Sequence, residues 1–255
     1  MTDYYDVSLK QSRLDLLNAR DGFVQVKGRV EQQGLMLGIL QDYKPQTVIH
    51  LAAQAGVRYS IDAPRSYMDA NVSGTFEILE AVRAHPVEHL LLASTSSVYG
   101  ANTKMPYAET DRTDHQMSFY AATKKAGEAM AHSYSHLYDI PTTMFRFFTV
   151  YGPWGRPDMA LFKFVKAILK DEAIDIYNHG NMMRDFTYVD DIVSGIIELI
   201  AKPPIQAVNH DSRSEIAPWR VVNIGNDKPV KLMDFVQAVE QAMGKTAKKN
   251  FMEAQ

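Results

Sequence analysis

Tyr120 and Lys124 stand four residues apart in the run Tyr120-Ala121-Ala122-Thr123-Lys124, a spacing that puts both side chains on one face of a helix. A tyrosine serves as a general base only when its pKa near 10 is lowered, and an ammonium beside it favours the phenolate. Upstream, Ser94-Thr95-Ser96-Ser97-Val98-Tyr99-Gly100 follows the apolar Leu90-Leu91-Leu92-Ala93. An apolar strand that runs out into hydroxyls sets them at the carboxyl end of a parallel strand, where ligands bind in open α/β sheets. A hydroxyl to hold a substrate oxygen, with a Tyr and a Lys to move its proton, makes an oxidoreductase-type site. Neither feature is diagnostic alone: chance supplies roughly 0.8 Tyr-x-x-x-Lys pairs at this composition, and a polar strand exit is an ordinary turn.

The elements that must position these groups alternate between short β-branched or apolar runs and longer amphipathic stretches, the pattern of parallel strands joined by helices. The fold class is α/β. Strands are predicted at 23–26, 47–51, 89–94 and 142–147, and helices at 7–19, 34–41, 69–84 and 118–138. Pro45, Pro86 and Pro141 follow three of the helix ends, where proline cannot continue a helix. Past residue 152 the pattern loosens into a helix at 160–169, a strand at 174–177, a helix at 189–201, a surface loop at 202–218, a strand at 221–224 and a helix at 232–243. Two parts are therefore expected: 1–152, carrying the catalytic residues, and a substrate-binding lobe over 153–255.

The 255 residues carry a net charge of −3 and no cysteine, so disulfides, thiolate nucleophiles and zinc–thiolate sites are excluded. There is no basic stripe for nucleic acid and no apolar run of the roughly 18 residues that a membrane span needs. With no signal-peptide pattern after Met1, the expected location is cytoplasmic. His132 and His136 have metal-ligand spacing, but no Glu follows the first and no third ligand is near. They read as surface residues, as do His85 and His89, and no metal is expected.

The strand exit and the Tyr120/Lys124 pair together resemble the extended short-chain dehydrogenase/reductases that act on nucleotide sugars. Four more stretches carry the likeness: His50-Leu51-Ala52-Ala53-Gln54-Ala55-Gly56-Val57-Arg58, Asn71-Val72-Ser73-Gly74-Thr75, Arg146-Phe147-Phe148-Thr149-Val150-Tyr151-Gly152-Pro153 and Met183-Arg184-Asp185-Phe186-Thr187-Tyr188-Val189-Asp190-Asp191. The resemblance implies a Rossmann-like domain that holds NAD through Leu51, Ala52, Ala53, Gln54, Asn71, Tyr120 and Lys124. It implies a UDP-sugar held by Ser96, Ser97, Thr149, Arg156, Arg184 and Arg58, with Thr95 or Ser96 orienting the reacting hydroxyl. Family dimers use helices that correspond to 69–84 and 118–138, so a homodimer is expected.

Within the resemblance, Ser96-Ser97 stand where the related dehydratases carry Asp-Glu and where decarboxylating relatives keep a Glu at the second place. Elimination needs that acid and base; a C4 epimerase does not. Thr149 and Pro153-Trp154-Gly155-Arg156-Pro157-Asp158-Met159-Ala160 resemble UDP-glucuronate 4-epimerases, whereas UDP-galactose epimerases tend to have Asn at the place of Thr149. Neutral hydroxyls suit a carboxylated sugar because they bond its carboxylate without adding a charge that promotes its loss, while Arg184 and Arg156 suit a diphosphate. The expected reaction is conversion of UDP-glucuronate to UDP-galacturonate through a 4-keto sugar.

The same resemblance implies an incomplete Rossmann-like sheet. No G-x-x-G-x-x-G occurs in the sequence, Gly28, Gly34 and Gly38 have the wrong spacing, and Gly28 is followed by Arg29 where the family puts an Asp for adenine. Asp3 to Lys10 resembles the family segment beyond the second strand, and 250–255 one that relatives continue past. A truncated chain, marginal alone or paired with another copy, is expected, and the alternative to an enzyme is an inactive module that binds sugar nucleotide or dimerises.

Overall fold

The computed structural model describes residues 2–207 and 211–253; part of the predicted 202–218 loop and the last two residues of the 250–255 stretch lie outside the described residues. In chain order the elements are α1 (Val7–Asn18), α2 (Leu35–Tyr43), β1 (Thr47–His50), α3 (Tyr59–Asp62), α4 (Pro64–Tyr67), a π-helical stretch (Met68–Ser73), α5 (Gly74–Ala84) and β2 (His89–Thr95). Then follow α6 (Phe119–Tyr138), β3 (Thr142–Phe147), β4 (Thr149–Tyr151), α7 (Ala160–Leu169), β5 (Ala173–Ile176), β6 (Met183–Tyr188) and α8 (Val189–Ile200). The last are β7 (Trp219–Ile224), β8 (Pro229–Lys231), α9 (Leu232–Met243) and β9 (Lys248–Phe251).

These elements form two compact units. Where the sequence predicts one boundary after residue 152, each unit is built from separated stretches: 28–148 with 192–225, and 2–27 with 149–191 and 226–253. The larger holds a parallel sheet in the order β1-β2-β3-β7. Leu90, Leu91 and Leu92 of β2 are buried in succession, as a parallel strand covered on both faces requires. Leu90 and Leu92 share a core with Leu79 and Val82 of α5, Ala131 of α6 and Met144 of β3.

Local chemistry sets the helix ends. The Ser118 hydroxyl accepts from Ala121 N at 3.1 Å and starts α6, and Lys44 and Asp139 end α2 and α6 in left-handed conformations just before Pro45 and Ile140-Pro141. The predicted helix over 69–84 is real but changes character. Its first turn and a half is the π-helix, and the wider turn sets Asn71 inward, where it is buried.

One predicted strand is absent. Residues 23–26 have β-forming side chains but are exposed and pair with no strand. Propensity without a hydrogen-bonding neighbour does not make a strand.

The smaller unit gathers β4, β6 and β8 into one sheet and β5 with β9 into another, with Phe164, Ile168, Ile174, Ile176, Val236 and Val239 in its core. Its strands β4, β6, β8 and β9 are absent from the sequence prediction. β4 and β8 are three residues long, too short for an alternating pattern, and β6 lies in a motif whose polar residues mask its periodicity.

Candidate functional site

In the larger unit, the carboxyl ends of β1 and β2, the π-helix and the start of α6 bring together most of the predicted residues. Thr95 is the last residue of β2, and its hydroxyl accepts from Ser97 N at 3.2 Å and donates to Ser97 Oγ at 3.3 Å. That cap starts the 3-10 turn Ser96–Tyr99 and holds Ser96 and Ser97 just beyond the strand. Gly100 closes the turn at φ +55°, where a Cβ would lie 2.0 Å from the His115 carbonyl oxygen. Only glycine fits there.

Tyr120 is the second residue of α6, and its ring lies edge-on to that of Tyr67, with centroids 5.9 Å apart. Tyr67 is wholly buried, and its hydroxyl donates to the carbonyls of Ala55 and Gly56. It braces both the tyrosine and the turn after β1.

Lys124 lies one turn further along α6 and is 8% exposed. None of the ion pairs among the described residues includes it. Burial lowers its pKa to about 8, with the Glu128 carboxylate pulling the other way. It borders a cavity of about 10 Å3, close to one water in size, shared with His50, Asn71, Thr75 and Thr123. His50 is driven down to about 4 by burial and then by the Lys124 charge, so its imidazole is neutral and its nitrogens serve as one donor and one acceptor.

Leu51, Ala52, Ala53 and Gln54 continue from β1 as irregular chain, the first three exposed. Asn71 Oδ1 accepts from Gln54 N at 2.8 Å, and Asn71 Nδ2 donates to Gln54 O and to Thr123 Oγ1, both at 3.0 Å. Arg58 is exposed just before α3.

The other predicted residues belong to the smaller unit. Thr149 opens β4. Arg156 is paired with Asp158, which also accepts from the Tyr4 hydroxyl at 3.0 Å. Arg184 is exposed on β6, and its neighbour Asp185 accepts from the backbone of Asn226 and Asp227.

Sequence reasoning misses Tyr67, His50, Glu128 and Arg146. Glu128 extends the stripe of Tyr120 and Lys124 by one more turn, the one signal that marks it. Of the histidines read above as surface residues, His132 bonds Ser214 and His136 the Ile216 carbonyl, whereas His89 is buried at the start of β2, 1% exposed, where Thr143 and the Ile200 carbonyl satisfy both its nitrogens. No group of three or more potential metal ligands occurs among the described residues, and no helix among them is long and apolar enough to cross a membrane.

The residues around Lys124 fit the nicotinamide end of a dinucleotide. The exposed turn after β1 and the hydroxyl-bearing exit of β2 lie at the carboxyl ends of neighbouring parallel strands, where open α/β sheets bind dinucleotides, with the Lys124 ammonium beneath them. The glycines at 28 and 34 do other work: a Cβ on Gly28 would lie 2.1 Å from Leu35 Cδ2, and Gly34, at φ +78°, starts α2.

The sequence profile of the NAD dependent epimerase/dehydratase family matches residues 8–213. Protein CapI of Staphylococcus aureus is 54% identical over 260 residues, covering 100% of this chain and 78% of its own. A probable UDP-glucuronate 4-epimerase of Rhizobium meliloti is 52% identical over 261 residues, covering 100% of this chain and 76% of its own. Among solved structures, UDP-glucuronic acid 4-epimerase from Bacillus cereus, in complex with UDP-glucuronic acid and NAD, superposes with a TM-score of 0.85 at 31% identity over 97% of this chain and 74% of that one. By profile, relatives and fold alike, the chain belongs to the NAD dependent epimerase/dehydratase family.

Proposed function

We propose that the protein is an NAD-dependent 4-epimerase of UDP-glucuronate, acting in the cytoplasm. The observation that carries the reading is a buried, unpaired Lys124 one helical turn from Tyr120, beside a strand exit of neutral hydroxyls with no carboxylate at positions 96 and 97. The 4-epimerases among its relatives support the choice of sugar.

Leu51, Ala52, Ala53, Gln54, Asn71, Tyr120 and Lys124 would hold NAD, whose nicotinamide supplies the reversible acceptor for the hydrogen on C4. Tyr120 as phenolate takes the proton of the 4-hydroxyl, and Lys124 favours that phenolate by its charge. Thr95 and Ser96 hold the 4-oxygen in line. Once the 4-keto sugar has turned its other face, hydride comes back to C4 from that side while Tyr120 returns the proton to the oxygen, so that hydride and proton balance over the cycle. Ser97 and Thr149 bond the sugar carboxylate, and Arg58, Arg156 and Arg184 serve the diphosphate. A homodimer through 69–84 and 118–138, where Phe76 and Leu137 are exposed, completes the proposal and is read by light scattering.

Purified protein given NAD+ and UDP-glucuronate should yield UDP-galacturonate, resolved by ion-exchange chromatography. Tyr120→Phe should lose on the order of 100- to 10,000-fold in kcat with NAD binding kept. UDP binding without turnover would refute the enzyme and leave a sugar-nucleotide binding module.

A further inference from the structure

Beneath the candidate site, a polar row crosses the sheet. Ser94 of β2 is the register partner of Arg146 on β3, and Arg146 of Asn223 on β7, so their side chains share one face of adjacent strands. Glu128 of α6 covers the first two. It accepts from Arg146 Nε on Oε1 and from Nη2 on Oε2, both at 2.9 Å, and from the Ser94 hydroxyl at 2.6 Å. Tyr99, from the turn after Thr95, covers the other half: its ring lies 4.8 Å from the Arg146 guanidinium, and its hydroxyl donates to Asn223 Oδ1 at 2.7 Å.

Glu128 and Arg146 are 2% and 3% exposed. A buried ion pair is a poor way to gain stability, because desolvation offsets most of its attraction. What two parallel bonds of this kind do supply is geometry. The pair fixes the rotation and axial register of α6 one turn beyond Lys124 and two beyond Tyr120, while the bond to Ser94 ties that register to the residue before Thr95. Burial pushes the Glu128 pKa up, yet the bonds and charge of Arg146 more than offset it and keep the carboxylate ionised. Its charge in turn opposes the effect of burial on Lys124.

We propose that Glu128, paired with Arg146, is a positioning residue for the epimerase reaction, which locks α6 against the exit of β2 and supplies the buried countercharge for Lys124. The inference rests on the functional reading above. The charged and titratable groups around Lys124 are Tyr120, Lys125 and Glu128 on its own helix, with Lys125 Nζ 3.3 Å from Glu128 Oε2 at the helix surface, His50 at the end of β1 and Arg146 on β3 behind Glu128; the π-helix and α5 line the cavity beside it with the neutral Asn71 and Thr75.

The test uses Glu128→Gln in the full chain with NAD+. We expect kcat to fall on the order of 10- to 100-fold, with the KM for UDP-glucuronate changed less than about threefold. The Lys124 titration, followed by the 13Cε signal of labelled lysine, should move down by about one pH unit. A merely structural role would lower the melting temperature and leave that titration in place. A folded Glu128→Gln protein with wild-type kcat, or an unmoved titration, overturns the proposal. Where Glu128→Gln does not fold, Ser94→Ala, which keeps both charges, carries the test: a threefold or larger loss of kcat at constant KM supports the proposal, and wild-type kcat overturns it. If the wild-type protein does not convert UDP-glucuronate, the functional reading has failed, and the Lys124 titration in wild type against Glu128→Gln, or against Glu128→Asp, whose shorter side chain draws the carboxylate back, where Glu128→Gln does not fold, decides alone on the pair: a lowered titration supports it and an unmoved one overturns it.

Discussion

The side-chain amide of Asn71 and the backbone of Gln54 exchange two hydrogen bonds, as two facing peptide groups would. The same amide nitrogen reaches Thr123, whose hydroxyl donates to the Tyr120 carbonyl at 2.8 Å. One buried residue thus couples the turn after β1 to the first turn of α6. Asn71→Ala leaves these groups unpaired away from water, and the protein should lose at least about 2 kcal/mol. Urea denaturation measures this, and a loss under about 0.5 kcal/mol would mean the turn re-forms its bonds elsewhere.

The buried ammonium of Lys124 costs stability. Its folded pKa, about 8, lies below the ordinary 10.5, so the unfolded chain binds the proton more tightly. The cost is full below pH 8 and fades as pH rises towards 10.5, at roughly 3 kcal/mol in all. Lys124→Met should therefore raise the melting temperature at pH 7 while abolishing turnover. Equal or lower stability would show that the ammonium is solvated.

His50 gives a second pH dependence with the same sign. Its pKa falls from 6.5 to about 4 on folding, so stability is complete above 6.5 and drains away as pH falls towards 4, by roughly 3 kcal/mol. Comparing urea midpoints at pH 7 and pH 4.5 should show a smaller acid loss for His50→Asn than for wild type.

Gly100→Ala should be severe. The backbone there has positive φ, and the added methyl meets a carbonyl oxygen rather than a movable side chain. A loss of about 3 kcal/mol or more is expected from strain and clash together, with turnover falling because Ser96 and Ser97 sit in the turn that Gly100 closes. A melting temperature within about two degrees of wild type would contradict the described turn.

The Tyr120/Lys124 stripe of α6 was legible in the sequence because helical spacing aligns the two on one face, and β2 because three consecutive leucines leave little else for a short run to be. Glu128 was not legible: a carboxylate on an amphipathic helix reads as solvent-facing, and only Arg146, brought alongside by the fold, lets it stay charged inside. The π turn at Asn71 escaped for a related reason, since its extra residue per turn leaves no mark in composition. Residues 23–26 failed in the opposite direction, with strand chemistry present and a pairing neighbour absent.

The order of the sheet has a consequence for synthesis. β3 leaves the ribosome with one edge unpaired, and its neighbour β7 is made only after 149–191, which belongs to the other unit, and the helix that follows. At roughly 5–20 residues per second that interval lasts several seconds, during which a parallel edge of Thr142–Phe147 lies open to any passing strand. A nascent chain halted before Trp219 therefore keeps this edge open, and completing β7 is what closes it.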